Sequence, residues 1–314
     1  MARSSLSSEL ADIKVSIIVM AYQHERYIAS AIIGAISQTY SNLEIIISDD
    51  HSQDGTYDEA KKVVEANPCG HAIVLKRNDE NMGFVKHFNH LLQISTGELV
   101  VYAPGDDISK PERVATIVDE YRKIRGERVL FYSSAISIDS NGVIDKVLTT
   151  DFSWRDSKKM AVSSDLYIGA TGAFSRSLIN AFPPIQVVGC YEDLVWGFRA
   201  YLCGKLIRID KELIYYRLGG MSFLPECNND KNMLRKKINK LKIIIYRQRL
   251  LDVEYYYNSK NDKLFKILEY RIRLEHAIGA VINKNWYSFL RYFLRSPKAA
   301  LHALQKLYRD NYFF

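Results

Sequence analysis

A chain of 314 residues with 47% hydrophobic and 25% charged side chains has an ordinary globular composition and enough length for a large core, which excludes gross disorder. No apolar run approaches the length needed to span a bilayer. The formal charge of +7 is unevenly placed: residues 225–314 hold 19 Lys+Arg against 8 Asp+Glu, net +11, and residues 1–224 hold 24 against 28, net −4. The chain is therefore read as one domain over 1–224 and a basic, aromatic-rich helical region over 225–314. Residues 1–14 are polar and Ser-rich without a signal-peptide apolar core, so a cytoplasmic location is expected. Cys69, Cys190, Cys203 and Cys227 form no CxxC pair, which suits free thiols in a reducing compartment.

In chain order, Val15–Met20 (VSIIVM) is a continuous β-branched run, the mark of a buried strand, and feeds a helix-like stretch to Gln38. Leu43–Ser48 repeats the pattern and stops at Asp49 and Asp50. A helix over Thr56–Ala66, a strand over Ala72–Leu75, a helix from Asn81-Met82-Gly83 to Leu92 and a strand over Leu99–Tyr102 follow. Alternation with short connections predicts a mostly parallel, doubly wound sheet. The last of these strands ends in Pro104-Gly105-Asp106-Asp107, before a helix opened by Ser109 and Pro111.

Beyond the Val114–Ile124 helix the pattern predicts strands at Val129–Tyr132 and Ala135–Ile138 joined by a tight turn, then an Asn141-Gly142 hairpin into Val143–Leu148. Residues 151–170, with Trp154, Arg155 and Asp156, read as a loop able to cover a substrate. A short strand at Thr171–Phe174, a helix from Tyr191-Glu192-Asp193 to Tyr201, and strands at Leu206–Ile209 and Leu213–Tyr216 complete the domain. Residues 228–314 read as helices. Trp286, Phe289 and Phe293 on one, and Leu301, Leu304 and Leu307 on the last, form stripes that serve as core or as a membrane-surface face.

Three acid clusters fall at strand or helix ends: Asp49 with Asp50, Asp106 with Asp107, and Glu192 with Asp193. Open α/β sheets bind ligands beyond the carboxyl ends of their strands. Carboxylates there can accept hydrogen bonds from a base or ribose, share a divalent cation, or take a proton from a hydroxyl. That division of labour suits transfer from a nucleotide-activated donor. No Gly-rich dinucleotide fingerprint and no P-loop occurs, which speaks against oxidoreductase and ATPase chemistry. A nucleotidyltransferase or another nucleotide-sugar enzyme, or a non-catalytic nucleotide-sugar binder, would also place acids at strand ends. His87 and His90 have helical spacing but no third zinc ligand, so they read as surface histidines. Arg77 and Lys86 are cations that can face a diphosphate.

The motifs VSIIVMAYQHERYI, EIIISDDHSQDGT, NMGFVKHFNHLLQISTGELVVYAPGDD and YEDLVWGFRAYLCGK followed by IYYRLGGMS, in this order, resemble the inverting family 2 glycosyltransferases. The resemblance covers about the first two thirds of the chain. It implies a GT-A fold: a Rossmann-like, mostly parallel α/β sheet with flanking helices, here followed by the C-terminal helices. It further implies that Ala21, Tyr22 and Glu25 lie on the nucleotide, with Tyr22 stacked on the base, and that Asp49 or Asp50 meets the base or ribose. Asn81, Gly83 and Arg217 join this nucleotide-sugar site. Asp106, with Asp107 beside it, would hold Mn²⁺ or Mg²⁺ on the diphosphate, and Asp193 would be the catalytic base with Glu192 orienting it or replacing it. Pro104 stands where the family often has an Asp, Gln23 where it often has Asn, and no His follows Tyr216-Arg217. The partners implied are a nucleotide-sugar, UDP-linked by preference, and a glycan or lipid-linked acceptor. The basic tail suits peripheral contact with anionic lipid at the inner face of the plasma membrane, and nucleic acid is not expected.

Overall fold

The computed structural model describes residues 12–150, 156–219 and 231–309. Two compact units emerge, one drawn from residues 1–152, 167–181 and 203–222, the other from 153–166, 182–202 and 223–314. The boundary expected at 224/225 lies beside the last of these crossings. Charge could not reveal the earlier ones, because segments 153–166 and 182–202 together hold 4 Lys+Arg against 4 Asp+Glu.

In the first unit β1 (Val15–Ala21), β2 (Leu43–Asp49), β3 (Ala72–Arg77) and β4 (Leu99–Pro104) run parallel in the order β3-β2-β1-β4. Helices α1 (Ile28–Ile36), α2 (Thr56–Ala66) and α3 (Phe84–Ile94) supply the crossovers. Val15, Ile17, Ile18 and Val19 are fully buried, so β1 is covered on both faces, as its unbroken apolar run requires. Truncating one such side chain to Ala costs about 2–5 kcal/mol. The register sets Ala21 opposite Asp49, Asp49 opposite Arg77, and Met20 opposite Pro104. The parallel ladder thus brings three chain reversals to one edge.

Farther along, the sheet is mixed. A two-residue β5 (Ile108–Ser109) pairs with a later strand, so the helix expected at Ser109 starts only at Arg113, as α4 (Arg113–Arg122). The two strands and tight turn expected between Val129 and Ile138 are one strand, β6 (Val129–Ile138). Those expected between Leu206 and Tyr216 are likewise one strand, β9 (Lys205–Arg217). Both misreadings have one cause: Ile209 pairs with Ser133 but Glu212 with Ser134, leaving extra residues on β9 at a bulge that reads in sequence like a turn. The Asn141-Gly142 hairpin into β7 (Ile144–Leu148) is present, with Gly142 at φ 86°. Strand β8 (Ala173–Ser175) bridges β4 and β6, and α6 (Arg176–Ile179) follows it.

The second unit contains α5 (Ser157–Val162), α7 (Glu192–Cys203) and the tail helices α8 (Lys231–Tyr257), α9 (Lys263–Ile282), α10 (Trp286–Arg295) and α11 (Pro297–Arg309). Helix α5 replaces part of the expected 151–170 loop. Asp156 caps it by accepting from the Lys158 and Lys159 amides, and six residues are too few to show helical periodicity. Trp154 and Arg155 lie outside the described residues. Leu274, Ile278 and Val281 of α9 pack on Ala299, Ala303 and Leu307 of α11, so only part of the expected leucine stripe is core; Leu301 is half exposed. Asn239 of α8 donates to the Glu275 carbonyl and carboxylate of α9 at 2.8 Å.

Candidate active site

The loops leaving β1 and β2 are stitched together before any ligand is considered. The Asp50 amide donates to the Ala21 carbonyl at 2.9 Å, and the Gly105 amide after β4 donates to the Met20 carbonyl at 2.8 Å. Gln23, at φ 56°, donates its amide to Ser52 Oγ at 2.8 Å; His24 does the same to Thr56 Oγ1 at 2.8 Å. The exposed Glu25 carboxylate accepts from the Gly55 amide at 3.1 Å. Tyr22 sits half-buried within this frame.

The buried Asp49 accepts from the Ser52 amide at 3.1 Å and from the Ser52 hydroxyl, and Arg77 Nε lies 3.4 Å from it. Asp50 is equally enclosed. Its oxygens accept from Asn78 Nδ2 at 2.7 Å and from the Met82 and Gly83 amides at 2.9 Å. This anchors the loop that carries exposed Asn81 and gives Gly83 its left-handed φ of 75°.

After β4, Asp106 and Asp107 are buried side by side. Asp107 Oδ1 accepts from the Arg217 amide at 2.7 Å, while Arg217 Nε donates to the Asp106 carbonyl at 3.0 Å and Nη1 to the Asp139 carbonyl at 2.9 Å. The guanidinium also lies 4.4 Å from the centre of the Tyr27 ring. Arg217, expected on the nucleotide-sugar, is thus placed behind the acidic loop as its brace. Burial, and then the adjacent Asp106 charge, push the Asp107 carboxyl well above the usual range. Arg113 is buried beside them, donating to the carbonyls of Tyr102 at 2.9 Å and Ala170 at 2.8 Å; burial lowers it to about 10.

His24 completes this edge. It is 7% exposed, neither ring nitrogen has a hydrogen-bond partner among the described residues, and Nε2 lies 3.9 Å from Asp106 Oδ2. A Cβ on Gly105 would stand 2.5 Å from His24 Nδ1, so the glycine is what admits the ring. Burial outweighs Asp106, Asp54 and Asp49 and lowers the imidazole below its ordinary value. Among the described residues no group of three or more metal-ligating side chains converges. A carboxylate and an orphaned buried imidazole facing each other nevertheless fit a divalent cation whose remaining ligands are water and donor oxygens.

In the second unit, Glu192 and Asp193 open α7. Burial, then the neighbouring Asp193, raise Glu192 well above the carboxylate range. Burial raises Asp193 to about 6, against the Leu194 amide at 2.7 Å and the Arg249 charge. Arg249 is fully buried; it donates to the Leu194 carbonyl at 2.8 and 3.1 Å and to the Ser163 carbonyl at 2.7 Å, fixing the start of α7. A carboxylate that titrates near 6 can accept a proton at neutral pH.

The first unit therefore gathers Ala21, Tyr22, Glu25, Asp49, Asp50, Asn81, Gly83, Asp106, Asp107 and Arg217, whereas Glu192 and Asp193 belong to the second. His87 is not on the surface as expected: it is buried with Nε2 2.8 Å from Ser48 Oγ, and burial lowers it to about 4. His24, Ser52, Thr56, Arg113 and Arg249 escaped the sequence reading. His24, inside VSIIVMAYQHERYI, and Ser52 and Thr56, inside EIIISDDHSQDGT, carried a signal that could have been used; Arg113 and Arg249 did not.

Residues 16–163 match the glycosyl transferase family 2 pattern. The chain is 25% identical over 321 residues to an uncharacterized glycosyltransferase of Haemophilus influenzae, covering 94% of this chain and 96% of that protein. Its fold resembles S. aureus TarS, solved in complex with UDP-GlcNAc, with a TM-score of 0.56 at 16% identity, covering 95% of this chain and 92% of that one. It also resembles the mannosyltransferase PcManGT of Pyrobaculum calidifontis, solved with GDP-Man and Mn²⁺, with a TM-score of 0.53 at 18% identity, covering 95% and 81%. Residues 16–163 of the chain are a glycosyltransferase family 2 domain. The chain is an enzyme of the nucleotide-sugar transferase class, and its sheet and helices are of the GT-A type.

Proposed function

We propose that the chain is a metal-dependent, inverting glycosyltransferase that moves a sugar from a UDP-sugar to a glycan or lipid-linked glycan acceptor in surface polysaccharide or glycoconjugate synthesis. The observation that carries this reading is the edge where the ends of β1, β2 and β4 bring Tyr22, Asp49 and Asp106 together inside the segment that matches the family. Tyr22 stacks on the base and Asp49 accepts from base or ribose. Asp106, with His24 facing it, holds Mn²⁺ or Mg²⁺; Asp107, braced by Arg217, fixes the loop. A cation bound there supplies positive charge toward the leaving diphosphate. UDP-GlcNAc in the TarS complex and Mn²⁺ in the PcManGT complex support the choice of donor and ion.

Asp193 is the general base. It takes the proton of an acceptor hydroxyl as that oxygen attacks the anomeric carbon from the face opposite the diphosphate. The bond to the diphosphate breaks with its electron pair leaving on the phosphate oxygen, and the configuration inverts. Glu192, buried beside it, serves to orient it. A screen of nucleotide-sugars for thermal stabilisation with Mn²⁺ tests the donor reading, since a ligand at a hundred times its Kd adds about 2.7 kcal/mol. Stabilisation by no nucleotide-sugar overturns it.

Among the described residues no helix is long and apolar enough to cross a membrane. Helix α10 has no buried residue, and Trp286, Tyr287, Leu290 and Leu294 are exposed on it beside Arg291 and Arg295. This composition supports peripheral docking on anionic lipid. Salt-sensitive co-sedimentation with anionic vesicles, lost when Trp286 and Leu290 become Ser, is the expected result.

A further inference from the structure

In the second unit a cavity of about 690 Å³ opens between α5, α9 and α11. Its lining includes Lys158, Lys263, Lys266, Arg271 and Lys298 and no carboxylate. Among the described residues none of these five cations forms an ion pair. On the same two long helices, by contrast, Arg273 pairs with Glu269 at 2.8 Å and Lys306 with Glu275 at 3.8 Å. The acids nearest Lys158 and Lys263 in sequence, Asp156 and Asp262, cap their helices and stay outside the lining.

Two further features add to the field. Lys263 and Lys266 lie in the first turn of α9, whose N-terminus Asp262 caps, and Lys298 lies in the first turn of α11, whose N-terminus brings about +0.5 charge to the cavity's edge. Tyr270 and His302 also line it, their rings stacked at 6.4 Å and the tyrosine hydroxyl 3.1 Å from His302 Nδ1. Burial, then Arg271, Lys306 and Arg309, hold that imidazole below its ordinary value.

We propose that this cavity is a binding site for a phosphate or diphosphate group, separate from the donor site. Lysine ammoniums act as point charges suited to the dense charge of phosphate. The cavity exceeds the size of a bare phosphate and leaves room for what the group is attached to. A lipid headgroup or a soluble phosphorylated glycan can present the same chemistry, and only this choice of carrier rests on the glycosyltransferase reading.

The test titrates the full-length protein with pyrophosphate at low salt in EDTA, which silences cation-assisted binding at Asp106. It is repeated with the double variant Lys266→Glu, Lys298→Glu. Both replacements put an acid in the first turn of a helix, where it complements the dipole, so folding is retained. The expected result is pyrophosphate binding by the unaltered chain, weakened about tenfold or more in the variant, with UDP affinity in Mn²⁺ unchanged. Phosphatidylglycerol vesicles that compete with pyrophosphate identify the headgroup as carrier; pyrophosphate binding that such vesicles do not displace, whether or not α10 holds them, identifies a soluble one. No pyrophosphate binding, or equal binding by the variant, overturns the proposal, and capture of single-stranded RNA in its place makes the cavity a nucleic-acid surface. Loss of UDP binding by the unaltered chain would strike the donor reading alone.

Discussion

At the strand edge, Asp49, Asp50 and Asp107 are each met by hydrogen-bond donors: the Ser52 amide, the Met82 and Gly83 amides, and the Arg217 amide. At the start of α7, Glu192 is buried and Asp193 half-buried, and Asp193 accepts from the amide of its neighbour, Leu194. The first arrangement uses carboxylates to fix loops around a ligand. In the second, burial raises both, Asp193 to about 6, within reach of proton exchange near neutral pH; burial also raises Asp107, but the Arg217 amide ties that carboxyl to its loop. The contrast lies in what each carboxylate holds: donors from other segments at the strand edge, and the adjacent residue at Asp193, the base of the proposed mechanism.

The comparison breaks most sharply at Asp193. Asp193→Asn keeps size but cannot accept the proton, and kcat with the true acceptor is expected to fall about 10² to 10⁴-fold while UDP affinity in Mn²⁺ stays nearly unchanged. Near-normal turnover would transfer the role to Glu192. The unaltered enzyme should lose kcat below about pH 6, where Asp193 is protonated. Stability runs the other way: a carboxyl raised in the folded state binds protons more tightly there than in the unfolded chain. Its ionisation therefore costs stability as pH rises from about 4 to 6.

Asp106 sharpens the other side. Asp106→Asn should weaken Mn²⁺-dependent UDP binding by about 10 to 100-fold or more, measured by titration calorimetry, and His24→Ala should fall within that range. Equal UDP affinity in EDTA and in Mn²⁺ would remove the cation from the reading.

Much of this was legible before the fold was seen. Strands β1, β2 and β4 are continuous β-branched or apolar runs, the last two ending at the acids, because burial on both faces leaves no polar alternation. The bulge shared by β6 and β9 was not legible, since Ser133-Ser134 and Asp210-Lys211-Glu212 look locally like turns and only strand pairing shows otherwise. The supporting arginines were hidden for a related reason. Arg113 reaches a carbonyl 57 residues away and Arg249 one 86 residues away, and no local pattern marks such contacts. His24 was readable as a residue type, but its isolation beside Asp106 depends on the missing Cβ of Gly105.

The smallest effect on ligand binding is expected at Asp50, and it decides whether that acid is scaffold or contact. Both of its oxygens are occupied, by Asn78 and by the Met82 and Gly83 amides. Asp50→Asn keeps one acceptor oxygen but replaces the other with a donor that faces an N–H, so a buried hydrogen bond is lost and a donor left unmet. That costs about 1–3 kcal/mol, visible in urea melts. If Asp50 acts only as an anchor, UDP affinity in Mn²⁺ should change by less than about threefold once the variant is folded, because under 1 kcal/mol of loop strain reaches the site. A loss of UDP affinity larger than the loss of stability would instead put Asp50 on the nucleotide, making it a carboxylate that serves both loop and ligand.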